Sequence, residues 1–474
     1  MDTFISPTTG YLFLSLFGLS MVIITYFATR WSKHSSKEEF LVAHRNVGWI
    51  LGGTSIAASW IWAPALFVSV QLAYQSGLAG IFWFTAPNIL ALGIFAFLAP
   101  KIREKLPEGY TLPQYIKQKL QSERVHKVYL FPYFFYQVMA ITVQLFAGGS
   151  LVSLLTGISL TTVMPILAVI ALAYTLISGL KASIVTDCVQ MIMILCIGAV
   201  ILPMTWSAAG GISAIEIGLG GLDGIRNILD PTIAFSFGIV TSIGLIAGAI
   251  SDQQYWQRSF AIKKIELAPA FIFGAILFGI VPIALSTLGF LGANPALGIV
   301  LPEGIDASML GVQTVATLLP TWAVFLFVVM LMAGLSSTLD SGLSAASSLW
   351  VTDVKKSQSD AIAVRDARKA MIGITIIGLA IAYAALLIPS FGLKELWWIF
   401  NTIAACVMVP TVLSLYWDGL SERGVFWGVL TSFVLGVPLF VYANILGNAM
   451  WIVGVTLLIV AISTGFCIAL QNKE

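Results

Sequence analysis

Asp187 and Asp340 stand inside long apolar stretches of the chain, and they read as the only two of its 22 acidic residues to do so. A charged side chain at the centre of a bilayer costs about 2.5–3.5 kcal/mol on insertion scales. The usual offset is a Lys or Arg in the same layer. Here every cationic residue reads as falling in or beside a loop. The missing positive charge is then expected from outside the polypeptide, as a bound metal cation or as protons. The alternative is a pair of permanently protonated, hydrogen-bonded acids, since burial disfavours the ionised form. Around Asp340, the stretch AGLSSTLDSGLSAASSLWVTD sets Ser337, Asp340 or Ser341, Ser344 and Ser348 on one helical face. Hydroxyl and carboxylate oxygens suit a hard cation. Serines that bond only their own helix backbone are the plain alternative.

The elements that must position these residues are apolar. The chain has 474 residues, 58% hydrophobic and 10% charged, with a net charge of +2 and a mean hydropathy of +0.95. Soluble domains run near a quarter charged, which excludes a cytosolic enzyme, a nucleic-acid binder and a disordered chain. The runs are long, continuous and rich in Leu, Ile and Ala, so they predict helices rather than the short alternating strands of a β-barrel. Thirteen spans are expected, near 10–30, 47–73, 80–102, 128–156, 160–180, 183–206, 232–251, 267–293, 318–350, 369–390, 395–416, 424–444 and 448–470. Of the 24 Lys and Arg residues, all but Arg226 and Lys394 then fall on one side. Arg30, Lys33, Lys37 and Arg45 form one such cluster. By the positive-inside rule the N-terminus is outside and the C-terminus cytoplasmic, in a cell membrane.

The four cysteines, Cys188, Cys196, Cys406 and Cys467, lie in apolar runs with no zinc or disulfide spacing and are expected to be small buried hydrophobes. His34, His44 and His126 fall in charged connecting segments, which disfavours a histidine metal site. The N-terminal MDTFISPTTG lacks the basic region of a signal peptide.

Setting aside the first span and the last two leaves two sets of five. An odd number of crossings forces the second set to enter from the opposite side, which is the arithmetic of an inverted repeat, common in secondary transporters. The chain divides accordingly into 1–45 (first helix and loop), 46–208 (first repeat), 209–231 (outer loop), 232–417 (second repeat) and 418–474 (two peripheral helices). The opening helices of the repeats, GWILGGTSIAASWIWAPALF and FSFGIVTSIGLIAGAISDQQYW, both combine small residues with hydroxyls. A break there would expose backbone carbonyls, although glycine also simply allows close helix packing.

At these residues the sequence resembles the sodium/solute symporter family, which includes sodium-coupled proline, sugar, sialic acid and urea carriers. Four stretches carry the resemblance: SGLKASIVTDCVQ (178–190), DQQYWQRSFA (252–261), SSTLDSGLSAASSLWVTD (336–353) and SIAASWIWAPALF (55–67) followed by AYQSGLAG. The resemblance implies a sodium ion between the first and eighth core helices. Its ligands would be the carbonyls of Ala58, Ile61 and Gly334 and the hydroxyls of Ser337 and Thr338. It implies a second cation site in some members, here Asp187, Ser337, Asp340 and Ser341. Many relatives carry Ser or another small residue where this chain has Asp340, so Asp340 would be either a second sodium ligand or a proton carrier.

The same resemblance places substrate beside the break, among Trp60, Trp62, Trp83, Phe84, Asn88, Gln137, Gln144, Gly248, Asn401 and Thr402. No Lys, Arg, Glu or His is among them, which argues against dicarboxylates. Gly248 stands where the sugar carriers place an aromatic inner gate. Ser-Trp-Ile-Trp-Ala and GIFWF (80–84) are similar to the urea-carrying branch, and urea suits tryptophan faces plus Asn and Gln. A polyamine or quaternary amine would suit an aromatic box, and amino acids such as proline stay open. Trp397 and Trp398 read as interfacial anchors. The expected activity is sodium-driven symport of a small organic solute by alternating access, with Na+ as coupling ion at one or two sites and H+ as the alternative. The expected partners are the solute and the lipid bilayer, with no nucleic acid and no obligatory protein. A solute-sensing receptor module is the reading from another class. No catalytic His, Cys–His pair or metal cluster lies in the spans, so an enzyme is not expected.

Overall fold

A computed structural model describes residues 4–29, 36–177, 179–357, 359–388 and 392–472. Arg30, Lys33 and His34 of the first basic loop, and Ser178 of the first motif, lie outside the described residues. The described chain is helical and contains no strand, only a single bridge pairing Val47 with Ile262.

The helices that matter are α1 (Pro7–Thr29), α2 (Trp49–Trp60), α3 (Pro64–Lys105), α4 (Leu112–Leu120), α5 (Glu123–Thr156), α6 (Leu160–Thr175), α7 (Leu180–Ala208), α8 (Pro231–Ser251) and α9 (Gln253–Ala261). They continue with α10 (Leu267–Ala293), α11 (Thr321–Leu349), α12 (Asp360–Ala385), α13 (Leu393–Tyr416), α14 (Glu422–Ile445) and α15 (Ala449–Ala469). Eleven helical segments among the described residues are long and apolar enough to cross a membrane, and α6 is a shorter apolar helix. The expected boundary between the second and third spans falls on a kink in α3, at Ser76 and Gly77. Gly77 has φ +58°, and a Cβ there would stand 2.4 Å from the Leu219 carbonyl oxygen, so the kink requires glycine. Splitting α3 at the kink and counting α6 recovers the thirteen expected crossings.

Both repeats open with a broken helix, each for a local reason. Between α2 and α3, Ala63 N–H is drawn away to Gln144 Oε1 (3.0 Å), Pro64 has no N–H to give, and Ala65 N–H turns back to Trp62 O (2.9 Å). The carbonyls of Ser59, Trp60 and Ile61 therefore lose their helical donors. Between α8 and α9, Asp252 is extended (φ −82°, ψ 112°) and its carboxylate caps α9 by accepting from Gln254 N–H at 2.8 Å. Helices α10 and α3 pack along each other, α10 also against α2, α8 against α13, and α11 against α5 and α7. The two breaks thus face α5, α11 and α13 in the middle of the bundle, where all five elements are buried.

Candidate functional site

The first break and α11 form a cradle of oxygen atoms. Thr338 donates to the Ser59 carbonyl (3.3 Å) and to the Gly334 carbonyl of its own helix (3.4 Å). A Cβ on Gly334 would lie 3.2 Å from the Ile61 carbonyl oxygen and 2.9 Å from Leu66, so glycine lets α11 close on the break. Ala58, Ile61, Gly334, Ser337 and Thr338 are all buried on these facing elements. The Ala58 carbonyl already accepts Ile61 N–H at 3.2 Å. The Ser337 hydroxyl turns the other way, to Asp187 Oδ1 at 2.5 Å.

The expectation that no cationic side chain reaches the buried acids is wrong. Arg258 of α9 is fully buried, and its Nη2 lies 2.9 Å from Asp187 Oδ2. The same guanidinium donates to Ser55 (2.9 Å), Ser59 (2.5 Å) and Ser341 (2.7 Å), and to the Gln254 carbonyl (3.2 Å). Ser55 donates to Asp187 as well, at 2.5 Å. Three of the four side chains expected at a second cation site, Asp187, Ser337 and Ser341, are therefore knit into one network around a cation belonging to the protein. Asp340 lies on the same stretch of α11, in electrostatic contact with Ser183, Thr175, Asp187 and Arg258. The segment that carries Arg258, QQYWQRSFA, is polar enough to read as a loop. The fold instead turns it back at Asp252 and buries it whole. Its glutamines continue the pairing down the serine stripe: Gln257 donates to Ser344 and Gln253 to Ser348, each at 3.3 Å.

Four further acids that hydropathy assigns to loops are buried among the described residues, Glu39, Asp252, Asp353 and Asp366. Asp252 accepts from Gln137 Nε2 at 3.0 Å. Asp353 bonds His126 (2.8 Å) and Thr111 (2.7 Å), closing the basic end of α5 against α4 and the end of α11. Of the cysteines, Cys406 and Cys467 are buried as expected, Cys188 is half-buried and Cys196 is exposed on an outward face.

Beside the first break lies an aromatic wall. Trp60 and Trp62 stack at 5.3 Å, Trp62 meets Phe400 edge-on at 5.0 Å and Trp397 at 6.2 Å, and Phe84 lies 5.6 Å from Trp397. Trp397 is fully buried in this wall and is not an interfacial anchor. Trp398 is also buried, stacked on Phe237 with Lys394 over its ring. Opposite, Gly244 and Gly248 let Asn401 of α13 lie against α8. A Cβ on Gly248 would stand 2.7 Å from Asn401 Oδ1 and 2.8 Å from the Tyr136 hydroxyl. Tyr136 stacks on Phe400 at 3.9 Å, so the ring beside Gly248 comes from α5. Among the described residues, Asn401 Oδ1 and Nδ2, the Tyr136 hydroxyl, Gln144 Nε2 and Trp62 Nε1 are buried with no hydrogen-bond partner. Convergent buried polar atoms without partners are costly unless they serve a ligand.

Other expected substrate residues are occupied elsewhere. Asn88 is tied between Trp60 Nε1 and the Phe84 carbonyl, both at 2.7 Å. Thr402 bonds its own helix at Trp398 O. Trp83 packs on Gly238 of α8, where a Cβ would meet its ring at 2.6 Å. Gln137 points to Asp252. A cleft of about 370 Å³ between α7, α10 and α11 is lined by Leu202, Ile280, Leu285 and Met330 and stands apart from this chemistry.

Comparisons with known proteins agree with this geometry. The chain is 16% identical to a protein solved as the substrate-bound outward-open state of a Na+-coupled sialic acid symporter, with a TM-score of 0.79 over 98% of both chains. That likeness shows the shared five-plus-five fold. The probable urea active transporter 1 of Schizosaccharomyces pombe is 25% identical over 60% of this chain and 46% of its own. The rice (Oryza sativa subsp. japonica) urea-proton symporter DUR3 is 22% identical over 91% of this chain and 65% of its own. The chain thus spans about half to two thirds of the length of these relatives. The Escherichia coli sodium/pantothenate symporter is 25% identical over 91% of this chain and 89% of its own. The model of the sodium:solute symporter family matches residues 40–432, and with the broken helices, the oxygen cradle and the many apolar crossings this makes the chain a multi-pass member of the sodium:solute symporter family.

Proposed function

We propose that this protein is a sodium-coupled symporter that imports a small, neutral, planar solute rich in hydrogen-bonding groups, with urea or a similar amide favoured. One observation carries the solute class. Asn401 and Tyr136 bring unpartnered polar atoms together at Gly248, Phe400 packs between Tyr136 and Trp62, and none of these side chains is charged. Such a set recognises amide-like donors and acceptors between aromatic faces. It offers no acid to a polyamine and no base to a carboxylate. The names of the urea-transporting relatives point the same way.

Sodium would sit in the cradle of Ala58, Ile61, Gly334, Ser337 and Thr338. Its binding would favour the outward-open state and raise solute affinity by a coupling free energy of about 1–3 kcal/mol. The repeats 46–208 and 232–417 would then rock around the midplane site, with the N-terminus outside and the C-terminus cytoplasmic. We favour one sodium per cycle, because Arg258 supplies the charge that a second ion would bring to Asp187. Proton coupling is the second reading: Asp340 is a buried acid beside that network, and one relative is named a urea-proton symporter. In proteoliposomes, uptake of radiolabelled urea should require an inward sodium gradient. Equal uptake with potassium and no pH gradient would overturn the sodium reading. Binding of urea without flux would favour the receptor alternative.

A further inference from the structure

We propose that the groove between α5 and α14 binds one anionic phospholipid, with an acyl chain in the groove and the headgroup at its mouth on the Lys- and Arg-rich side. The groove has a volume of about 330 Å³. Phe131 and Pro132 of α5 line one wall, and Leu430, Phe433 and Val434 of α14 line the other. Phe131 is 53% exposed and Val434 54%, so the described residues leave the groove open. Both helices are long and apolar enough to cross a membrane, and the medium against their open faces is hydrocarbon. The groove runs from Lys127 to Pro132 and from Val429 to Val434, about 8 Å of depth at 1.5 Å per residue. Both helices are irregular at its deep end. Pro132 interrupts the hydrogen-bond ladder of α5, and α14 makes a π turn at Ser432–Gly436. Phe131 and Phe433 meet edge-on there at 4.9 Å.

The mouth decides the headgroup. The two helices start side by side, tied by Ser122, which donates to Glu422 at 2.6 Å. Lys127 lines the mouth itself. Arg124 stands one turn before it, on the face of α5 that continues through Val128 to Phe131. Arg423 stands on the face of α14 that continues through Trp427 and Leu430 to Val434. All three cations are exposed, and among the described residues none of them forms an ion pair. The acids at this end are engaged elsewhere: Glu123 pairs with Lys117 and Lys356, Asp418 with Lys119, and Glu422 accepts from Ser122. Three unpaired cations above an apolar groove match a phosphate headgroup of net negative charge joined to an acyl chain. A zwitterionic headgroup brings its own ammonium and gains less. The long stem of Lys127 can lie along the groove while its ammonium stays at headgroup level.

The test is native mass spectrometry of the purified full chain, released from nanodiscs of equal phosphatidylglycerol and phosphatidylcholine. Wild type should keep one phosphatidylglycerol per chain, preferred about fivefold or more over phosphatidylcholine. Lys127→Gln combined with Arg423→Gln should weaken phosphatidylglycerol binding about tenfold or more, since each cation near a membrane surface contributes about fivefold. Lys264→Gln removes an exposed cation from the same side and should bind as wild type. Val434→Trp fills the groove from an exposed position, where it spares the core, and should lose the lipid. Equal retention of the two lipids by wild type would overturn the site. So would phosphatidylglycerol binding that is undiminished in the double variant or in Val434→Trp, or an equal loss in Lys264→Gln. Displacement of the lipid by glycerol phosphate alone would mean an ion site without a chain, and a dimer carrying no lipid would mean that a second copy covers the groove; either result would overturn the proposal.

Discussion

Arg258 Nη2 lies 2.9 Å from Asp187 Oδ2, with both side chains fully buried and three serines closing the ring around them. The pair joins the second half of the broken helix in one repeat to the fifth helix of the other. A buried ion pair is weak evidence for stability, because desolvation offsets much of the attraction. Breaking one is costly all the same, because it strands a charge.

Arg258→Gln alone should therefore destabilise the protein by about 3–5 kcal/mol. Asp187→Asn in the same chain should recover a large part of that. Unfolding of the detergent-solubilised single and double variants measures the coupling. Strictly additive losses would mean that the two groups do not act as a pair.

Thr338→Val keeps the side-chain volume and removes the hydroxyl that bridges Ser59 and Gly334. The half-saturating sodium concentration for uptake should rise about five- to tenfold, in line with one lost hydrogen-bonding group. The melting temperature without sodium should change little. Ser337→Ala differs, because its hydroxyl bonds Asp187; it should lower both sodium affinity and stability.

Asn401→Leu removes two buried, unpartnered polar atoms from the proposed solute site beside the break. We expect the urea KM to rise about tenfold or more, since hydrogen bonds in a desolvated site carry about 1–3 kcal/mol. Sodium dependence at saturating urea should stay as in wild type. An unchanged KM would remove Asn401 from the site.

Gly248→Ala should abolish solute binding beside the first break, because its methyl group would stand 2.7 Å from Asn401 Oδ1 and 2.8 Å from the Tyr136 hydroxyl. Gly373→Ala is the matched control: nothing lies within 4 Å of its Cβ position. As a helix-interior glycine of α12 it should gain up to about 1 kcal/mol. Binding and thermal unfolding of the two variants separate a blocked site from a general effect of alanine.

Asp340→Asn distinguishes the coupling ions. If Asp340 carries a proton, the variant should lose the pH dependence of uptake. If Asp340 only adjusts the sodium cradle, it should keep the pH profile and shift the half-saturating sodium concentration. Uptake measured across pH at fixed sodium, and across sodium at fixed pH, reads out both.

Much of the fold is legible in the sequence because a membrane imposes its own spacing. Apolar runs long enough to span, and Lys and Arg gathered on alternate loops, give the number of crossings without any tertiary information. The break at Ile61–Ala63 is local only in part: Pro64 has no N–H and Ala65 N–H turns back to Trp62 O, whereas Ala63 N–H is taken by Gln144 of α5. Trp60 and Trp62 stack beside the break, whereas Trp397 joins them only because α13 packs where Gly244 and Gly248 let it approach.

The sequence alone determined a helical membrane fold with two opposed sets of five crossings, broken first helices and buried acids, because each of these follows from residue type and spacing along the chain. The tertiary structure alone decided which charges meet. Arg258 is 71 residues from Asp187 and sits in a polar segment that hydropathy assigns to water. Only the turn at Asp252, which folds that segment back between α2 and α11, brings its guanidinium to the carboxylate. Hydropathy counts how much charge a segment carries and cannot tell whether a partner from another helix will neutralise it.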